Sequence, residues 1–414
     1  MKAKLYPRKL PVVILNMHYT GLGIARDLKD SGAEIYGVSH DATFFGNFSK
    51  YCTALHAPDT ETEPEKCKEF LLTFAQSLGD RPILLPTRDH DINFIISYRR
   101  ELEAAYLIPY PSSEVLEQIL DKSRLYTIAK QVPIYCPKDV VINSLEELNN
   151  KKNGLIFPCV VKPVRASQWR KKMIWDLVGK QKVVKIDDYD DLYSFYERIH
   201  KYDPVIHVQE YIEGKDTNLV IFGSYINPHT GMISYFTARK LLQYPANSGT
   251  GIIVESCVVH DIIKQSIALL RQLNYSGISE IEYKYDERKG VYALIEINPR
   301  HWDQHTLGSS VGVNLSQTMY SDMSGLKFPF NTQYNQTIRW IADDGYFSSL
   351  LNSFRKRDYP LSVLIRILVG RKIFAVFHRK DLRPAIHLYK QMLAEYRKIF
   401  CNHVKKKLAI KRVR

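Results

Sequence analysis

Residues 10–40 pass from an apolar run to an amphipathic stretch and back: LPVVIL, then NMHYTGLG, IARDLKDSG and AEIYGVSH. This change of period is that of a βαβ unit. It commits the start of the chain to a parallel sheet, because parallel neighbours can be joined only by a crossover. RPILLPT at 81–87 adds a short buried strand and DHDINFIISYRRELE a helix, so a doubly wound, Rossmann-like domain is expected over residues 1–115, ending at Pro109 and Pro111.

At 414 residues, 45% of them hydrophobic, the chain can fill two or three cores. A helix is predicted from Ser112 or Ser113 through EVLEQILDKSRLYTIAKQ, stopped by Val132 and Pro133. VVINS, FPCVVKPV, KVVKI and VIHVQEYI then read as strands around the acidic helix YDDLYSFYERIHKY, a small α+β module at about 134–208. LVIFGSYI, GMISYFTARKL and GIIVESC are further strands, DIIKQSIALLRQLN is a helix, and ISEIEYKYD with VYALIEIN forms a hairpin about ERKG, giving a second unit at about 209–330.

The net charge of +14 is concentrated at one end. Phe354 to Arg414 carries 18 Lys or Arg against Asp358, Asp381 and Glu395, a net +15, which leaves about −1 for residues 1–353. Residues 331–414 are therefore expected to be a basic, mainly helical extension. Its cations suit contact with an anionic membrane or a nucleic acid; the plainer alternative is that its apolar faces pack on the body and the cations stay solvated. No usual RNA- or DNA-binding motif occurs, and no nucleic acid is expected. The longest apolar runs, LPVVIL and LSVLIRILVG, are shorter than the roughly 20 residues that span a bilayer. The amino terminus reads as strand, not signal. The six cysteines lack CxxC spacing, so neither a disulfide framework nor a zinc site is expected, and the chain is placed in the cytoplasm, with the inner membrane face as an option for the tail.

Several residues carry candidate chemistry. Lys162 ends the apolar strand PCVV before Pro163, where a charge needs a partner. Alternation in IEYKY and LIEIN puts Glu282, Glu296 and Asn298 on matching faces of adjacent strands, three oxygen donors of the hard type that Mg²⁺ takes; Glu280 is the competing choice for Glu282. Gly21-Leu22-Gly23 follows a strand and opens a helix, where a dinucleotide phosphate could sit, but Arg26 stands where the fingerprint wants a small residue; a tight turn is the plainer reading, and Asp41 lies where a ribose-binding acid would.

DKSRLYTIAKQVPIYCP at 121–137, FPCVVKP at 157–163, VQEYIEGKD at 208–216 and LIEINPR at 294–300 resemble, in order and spacing, the successive motifs of the ATP-grasp superfamily. FTARKLLQYPANSGTGIIVES at 236–256 is similar to its carboxylate-amine ligase branch, which includes D-aspartate ligases. The resemblance covers roughly residues 10–330. It implies an ATP-grasp fold of mixed α/β and α+β domains: a pre-ATP-grasp domain at 1–115 and an ATP-grasp domain at 116–330 whose lid is about 134–208 and whose metal-binding body is about 209–330. The implied cofactors are ATP and Mg²⁺, with Mn²⁺ as a substitute. Lys122 and Lys162 would reach the phosphates, Glu210, Tyr211 and Ile212 would form the adenine-reading hinge, and Asp216 would accept from the ribose. Glu282, Glu296 and Asn298 would hold the metal, while Arg300, Lys240 and Arg239 would serve the γ-phosphate or the acid substrate, beside a loop of Ser248, Gly249, Thr250 and Gly251.

One departure stands out. The glycine-rich loop usual after the second lysine is replaced by VRASQWRKKMIWDLVGK, so Arg165, Ser167, Trp169, Arg170, Lys171 and Lys172 would have to cover the triphosphate. The implied activity is ligation of a small carboxylate to an amine through an acyl phosphate, in cell-wall, capsule or small-peptide synthesis, by a monomer or homodimer. The competitors are a noncatalytic ATP-binding scaffold or polyanion adaptor, which predicts ATP binding without turnover, and an NAD-dependent dehydrogenase, which leaves the lysines and the acidic trio unexplained.

Overall fold

A computed structural model describes residues 9–163, 169, 172–181, 183–244, 249–327, 329–332, 336–345, 365 and 369–413. The amino-terminal unit holds β1 (Val12–Leu15), α1 (Tyr19–Asp27), β2 (Ile35–Ser39), β3 (Thr53–His56), α2 (Pro64–Leu78), β4 (Ile83–Leu85), α3 (Asp89–Ser97) and α4 (Arg99–Ala105). Its four strands are parallel in the order β3-β2-β1-β4. The all-apolar VVIL of β1 is fully buried because a central parallel strand is covered on both faces. The reversal of strand order falls beside β1, so the loops after β1 and β4 open a crevice at the carboxyl ends of the strands.

The glycine pair does not form a phosphate loop. Gly21 and Gly23 lie inside α1, where a Cβ would come within 2.4 Å of the Asn16 carbonyl oxygen and 2.6 Å of His305 Cε1. They permit close packing of α1 against its neighbours, and Asp41 is occupied by the Thr43 amide and hydroxyl.

The single helix expected over 112–131 is two, α5 (Ser113–Leu120) and α6 (Lys122–Ala129). Asp121 breaks it by capping α6, its carboxylate accepting from the Ser123 and Arg124 amides at 2.9 and 3.2 Å. The break places Lys122 at the first position of a new helix, where its side chain reaches β13.

The lid comprises β5 (Asp139–Ile142), α7 (Leu145–Asn150), β6 (Cys159–Pro163), α8 (Lys172–Leu177), β7 (Val184–Ile186), α9 (Tyr189–Ile199) and β8 (Ile206–Glu210), with an antiparallel sheet ordered β5-β8-β6-β7. Trp169, expected over the triphosphate, lies in the lid core at 1% exposure, its indole donating to Asp203 at 2.9 Å. An indole with a satisfied N–H gains more from burial than from standing in water. Arg165, Ser167, Arg170 and Lys171 fall outside the described residues, as do Ser248 and the Lys172 side chain.

The body holds β9 (Leu219–Ile226), β10 (Ile233–Tyr244), β11 (Thr250–Ser256), α10 (His260–Gln272), β12 (Gly277–Asp286), β13 (Val291–Asn298), α11 (Thr306–Ser310), α12 (Leu315–Met323) and β14 (Ile338–Ile341). One face of its sheet packs Val220, Phe222, Tyr283 and Leu294 on α10 and α6; the other carries Ile221, Phe236 and Trp302 toward the amino-terminal unit.

The carboxyl-terminal segment is part of this architecture. β15 (Arg371–Phe374) pairs in parallel with β14, extending the sheet to β13-β12-β9-β10-β11-β14-β15, and α13 (Arg383–Val413) follows. Val376, Ala385 and Leu388 join the core shared with the amino-terminal unit. Asp381 is buried against Arg26 at 3.0 Å and also accepts from the Ser49 hydroxyl and the Lys50 amide. For this stretch, packing on the body is the outcome, so the boundary at 331 cuts through the sheet.

Candidate active site

Residues paired across an antiparallel ladder share a face. Glu280 pairs with Asn298 and Glu282 with Glu296, so four oxygen-bearing side chains form a square on the cleft face of β12 and β13. Two of its corners are tied to a third: Asn298 Nδ2 donates to Glu280 at 3.0 Å and to Glu296 at 3.4 Å. Glu282 instead accepts from Lys240 at 2.7 Å. Among the described residues no three His, Cys, Asp or Glu converge as a ready metal cage; what converges is two carboxylates and one amide. That donor set fits Mg²⁺, which commonly takes one or two carboxylates and completes its shell with water and substrate phosphates. Burial, reinforced by Glu282, pushes the Glu280 carboxyl well above its ordinary range.

Cations approach from two sides. Lys122 Nζ donates to Glu296 at 3.1 Å, and Lys122 holds the Glu296 pKa down to about 2 against the opposing effect of burial. Burial, together with the neighbouring Lys122 ammonium, drives Lys162 well below the usual lysine range. Lys162 is positioned by Gln209, whose amide donates in turn to the Tyr126 hydroxyl at 2.6 Å. Two ammonium groups side by side repel each other, and a chain of phosphates between them would offset that repulsion. Lys240 is buried against Glu282, whose charge outweighs burial and raises the lysine above its ordinary range. Its stem runs beside Gly251, where a Cβ would lie 3.3 Å from Lys240 Cγ and Cδ.

Arg239 is not brought to this cluster. It pairs with Val220 on β9, on the α10 side of the sheet, and hydrogen-bonds Tyr292 there. Successive strand residues point to opposite faces, so Arg239 and Lys240 cannot both enter the cleft. Arg300 does reach it: its guanidinium donates to Asn298 Oδ1 at 3.1 Å and to Asp89 at 2.7 Å, joining the end of β13 to the start of α3.

At the hinge, the Glu210 side chain is buried, accepting from Tyr135 at 2.9 Å, the Lys138 amide at 3.2 Å and Lys289 at 3.0 Å. The Tyr211 ring lies between the Lys185 and Lys284 ammoniums, 5.3 and 5.0 Å from its centroid, and Ile212 is buried. Asp216, expected to await a ribose, is 2% exposed and binds the amide and side chain of Gln243 at 2.9 and 2.8 Å. Sequence reasoning missed Gln209, Tyr126 and Asp89; of its two choices for the metal, Glu282 pairs across the ladder with Glu296 and Glu280 with Asn298. The signal for Gln209 was its position one residue before Glu210 on a buried strand.

The architecture is that of the ATP-grasp fold. The carbamoyl-phosphate synthase L chain, ATP binding domain family matches residues 252–327. A D-aspartate ligase of Enterococcus faecium (strain Aus0004) is 21% identical over 321 residues, 75% of this chain and 76% of that protein. The biotin carboxylase domain of Hydrogenobacter thermophilus 2-oxoglutarate carboxylase, in complex with MgADP, ADP and bicarbonate, matches at a TM-score of 0.62 and 14% identity, over 80% of this chain and 74% of that one. An L-amino acid ligase from Bacillus licheniformis matches at 0.56 and 15%, over 77% and 75%. These likenesses show that the chain has the ATP-grasp fold.

Proposed function

We propose that the chain joins a small carboxylate to an amine in two steps: the carboxylate attacks the γ-phosphate of ATP to give an acyl phosphate and ADP, and the amine then displaces phosphate to form an amide. The observation that carries this reading is the meeting of Lys122 and Lys162 with Glu280, Glu296 and Asn298 on one face of the sheet. Glu280, Glu296 and Asn298 are the residues that would hold Mg²⁺ or Mn²⁺, which neutralises phosphate charge and polarises the transferring group. Lys122 and Lys162 bind the phosphates as point charges. Lys240 pairs with Glu282 and holds its carboxylate to one side of the Glu280, Glu296 and Asn298 set. Arg300, fixed by Asp89 and Asn298, presents its remaining donors to the acid or to the oxyanion formed as the amine attacks. Most of the rate gain in such chemistry comes from positioning and charge neutralisation.

The relationship to a D-aspartate ligase and the likeness to an L-amino acid ligase support substrates of amino-acid size, as used in cell-wall, capsule or small-peptide synthesis. The test is phosphate release from ATP and Mg²⁺ across a panel of acids and amines, with mass analysis of the product. Release should require both a carboxylate and an amine. Steady ATP turnover indifferent to either would overturn the proposal.

A further inference from the structure

Helix α13 is held to the body by one side. Ala385 and Leu388 are buried, the His387 ring stacks on Phe48 with centroids 3.9 Å apart, and His387 and Gln391 both bond the Thr43 carbonyl at 3.0 Å. The adjoining side is apolar as well, yet Leu382, Ile386, Leu393 and Tyr396 stand exposed on it; with Tyr389, whose hydroxyl donates to Asp343 at 2.9 Å, they fall at alternating steps of four and three residues and align in one stripe. Ile386, Leu393 and Tyr396 are 50, 60 and 53% exposed. Arg383, Lys390 and Arg397 repeat at seven-residue steps and line one edge of the stripe. Phe374 and Phe377, which precede the helix, are exposed as well. Between 371 and 398 there are eight Lys or Arg against Asp381 and Glu395, and Asp381 is consumed inside by Arg26.

We infer that this face of α13 docks the enzyme onto an anionic lipid bilayer, the apolar stripe entering the headgroup boundary and the cationic row meeting lipid phosphates. A helix with this pattern lies in the plane of such a surface. The charge decides among occupants. A second copy seated on the stripe would bring cationic rows together, and a nucleic acid would engage the cations while leaving Ile386 and Leu393 in water. The sequence continues the theme along the same helix with Lys405, Lys406, Lys407, Lys411 and Arg412. None of these residues belongs to the ligase site, so the inference stands or falls independently of the proposed reaction.

The test is co-sedimentation of the full chain with vesicles of phosphatidylcholine alone or mixed with phosphatidylglycerol, with circular dichroism as the control for folding. The mixed vesicles should retain the protein and phosphatidylcholine should not. Leu393→Asp should weaken retention at least about tenfold. The triple change Arg383→Gln, Lys390→Gln, Arg397→Gln should weaken it about 100-fold, at roughly fivefold per cation. Phosphate release in solution should be unchanged in both. Failure to bind anionic vesicles overturns the inference, as does binding that survives Leu393→Asp, which would mark a polyanion site built from charge alone. Self-association that Leu393→Asp abolishes, in a protein that ignores vesicles, assigns the face to a second copy and also overturns it.

Discussion

Replacing Glu296 by glutamine changes one charge and almost no volume. The Glu296 carboxylate has two tasks: it accepts from Lys122 at 3.1 Å, and with Glu280 it closes on Asn298. The ion pair is only partly shielded, with side-chain exposures of 38% for Glu296 and 23% for Lys122, so its loss should cost at most about 1 kcal/mol of stability. The catalytic cost should be far larger. Outer partners of metal ligands are typically worth about 10- to 100-fold, and a direct carboxylate ligand should exceed that, so Mg-dependent phosphate release should fall by at least about 100-fold while the melting curve barely moves. The pH profile offers an independent reading. Lys122 holds the Glu296 pKa at about 2, below the ordinary 4.5, so the stabilisation it contributes is complete above 4.5 and is lost as the pH falls toward 2. The stability difference between the two proteins should therefore shrink across that window. Wild-type phosphate release by Glu296→Gln, with folding intact, would refute the metal assignment and the proposed reaction with it.

Lys240→Met should lower turnover substantially by freeing Glu282 from its partner, whereas Arg239→Met, on the far face, should leave nucleotide affinity and KM unchanged; equal kinetic damage from both would contradict the register of β10. Asp381→Ala leaves Arg26 uncompensated in the core between the amino-terminal unit and the tail, and should destabilise by about 3 kcal/mol in urea denaturation with ATP affinity retained; a shift under about 1 kcal/mol would show that the contact is dispensable.

Period and order alone carried a large part of the molecule. The βαβ opening, the lid strands, the β12–β13 hairpin and the approach of Lys122 and Lys162 to its acids follow from alternation, apolar runs and motif spacing, because these features are local or depend on strand faces that sequence parity sets. The different surroundings of Glu280 and Glu282 could not be read that way: two residues apart on one strand, they share a face, and only the completed sheet pairs Glu280 with Asn298 and brings Lys240 to Glu282. Arg239 was in principle legible, since its neighbour Lys240 already claimed the cleft face. The break at Asp121 turned on a side chain capping its own backbone, against an uninterrupted helical pattern. The Arg26–Asp381 contact joins residues 355 positions apart, and Asp89 meets Arg300 across 211. Such partners carry no mark in the sequence. Burying an ion pair or orienting a guanidinium depends on which surfaces the completed fold brings together, and that was decided only when the amino-terminal sheet, the body and the carboxyl-terminal strand packed into one core.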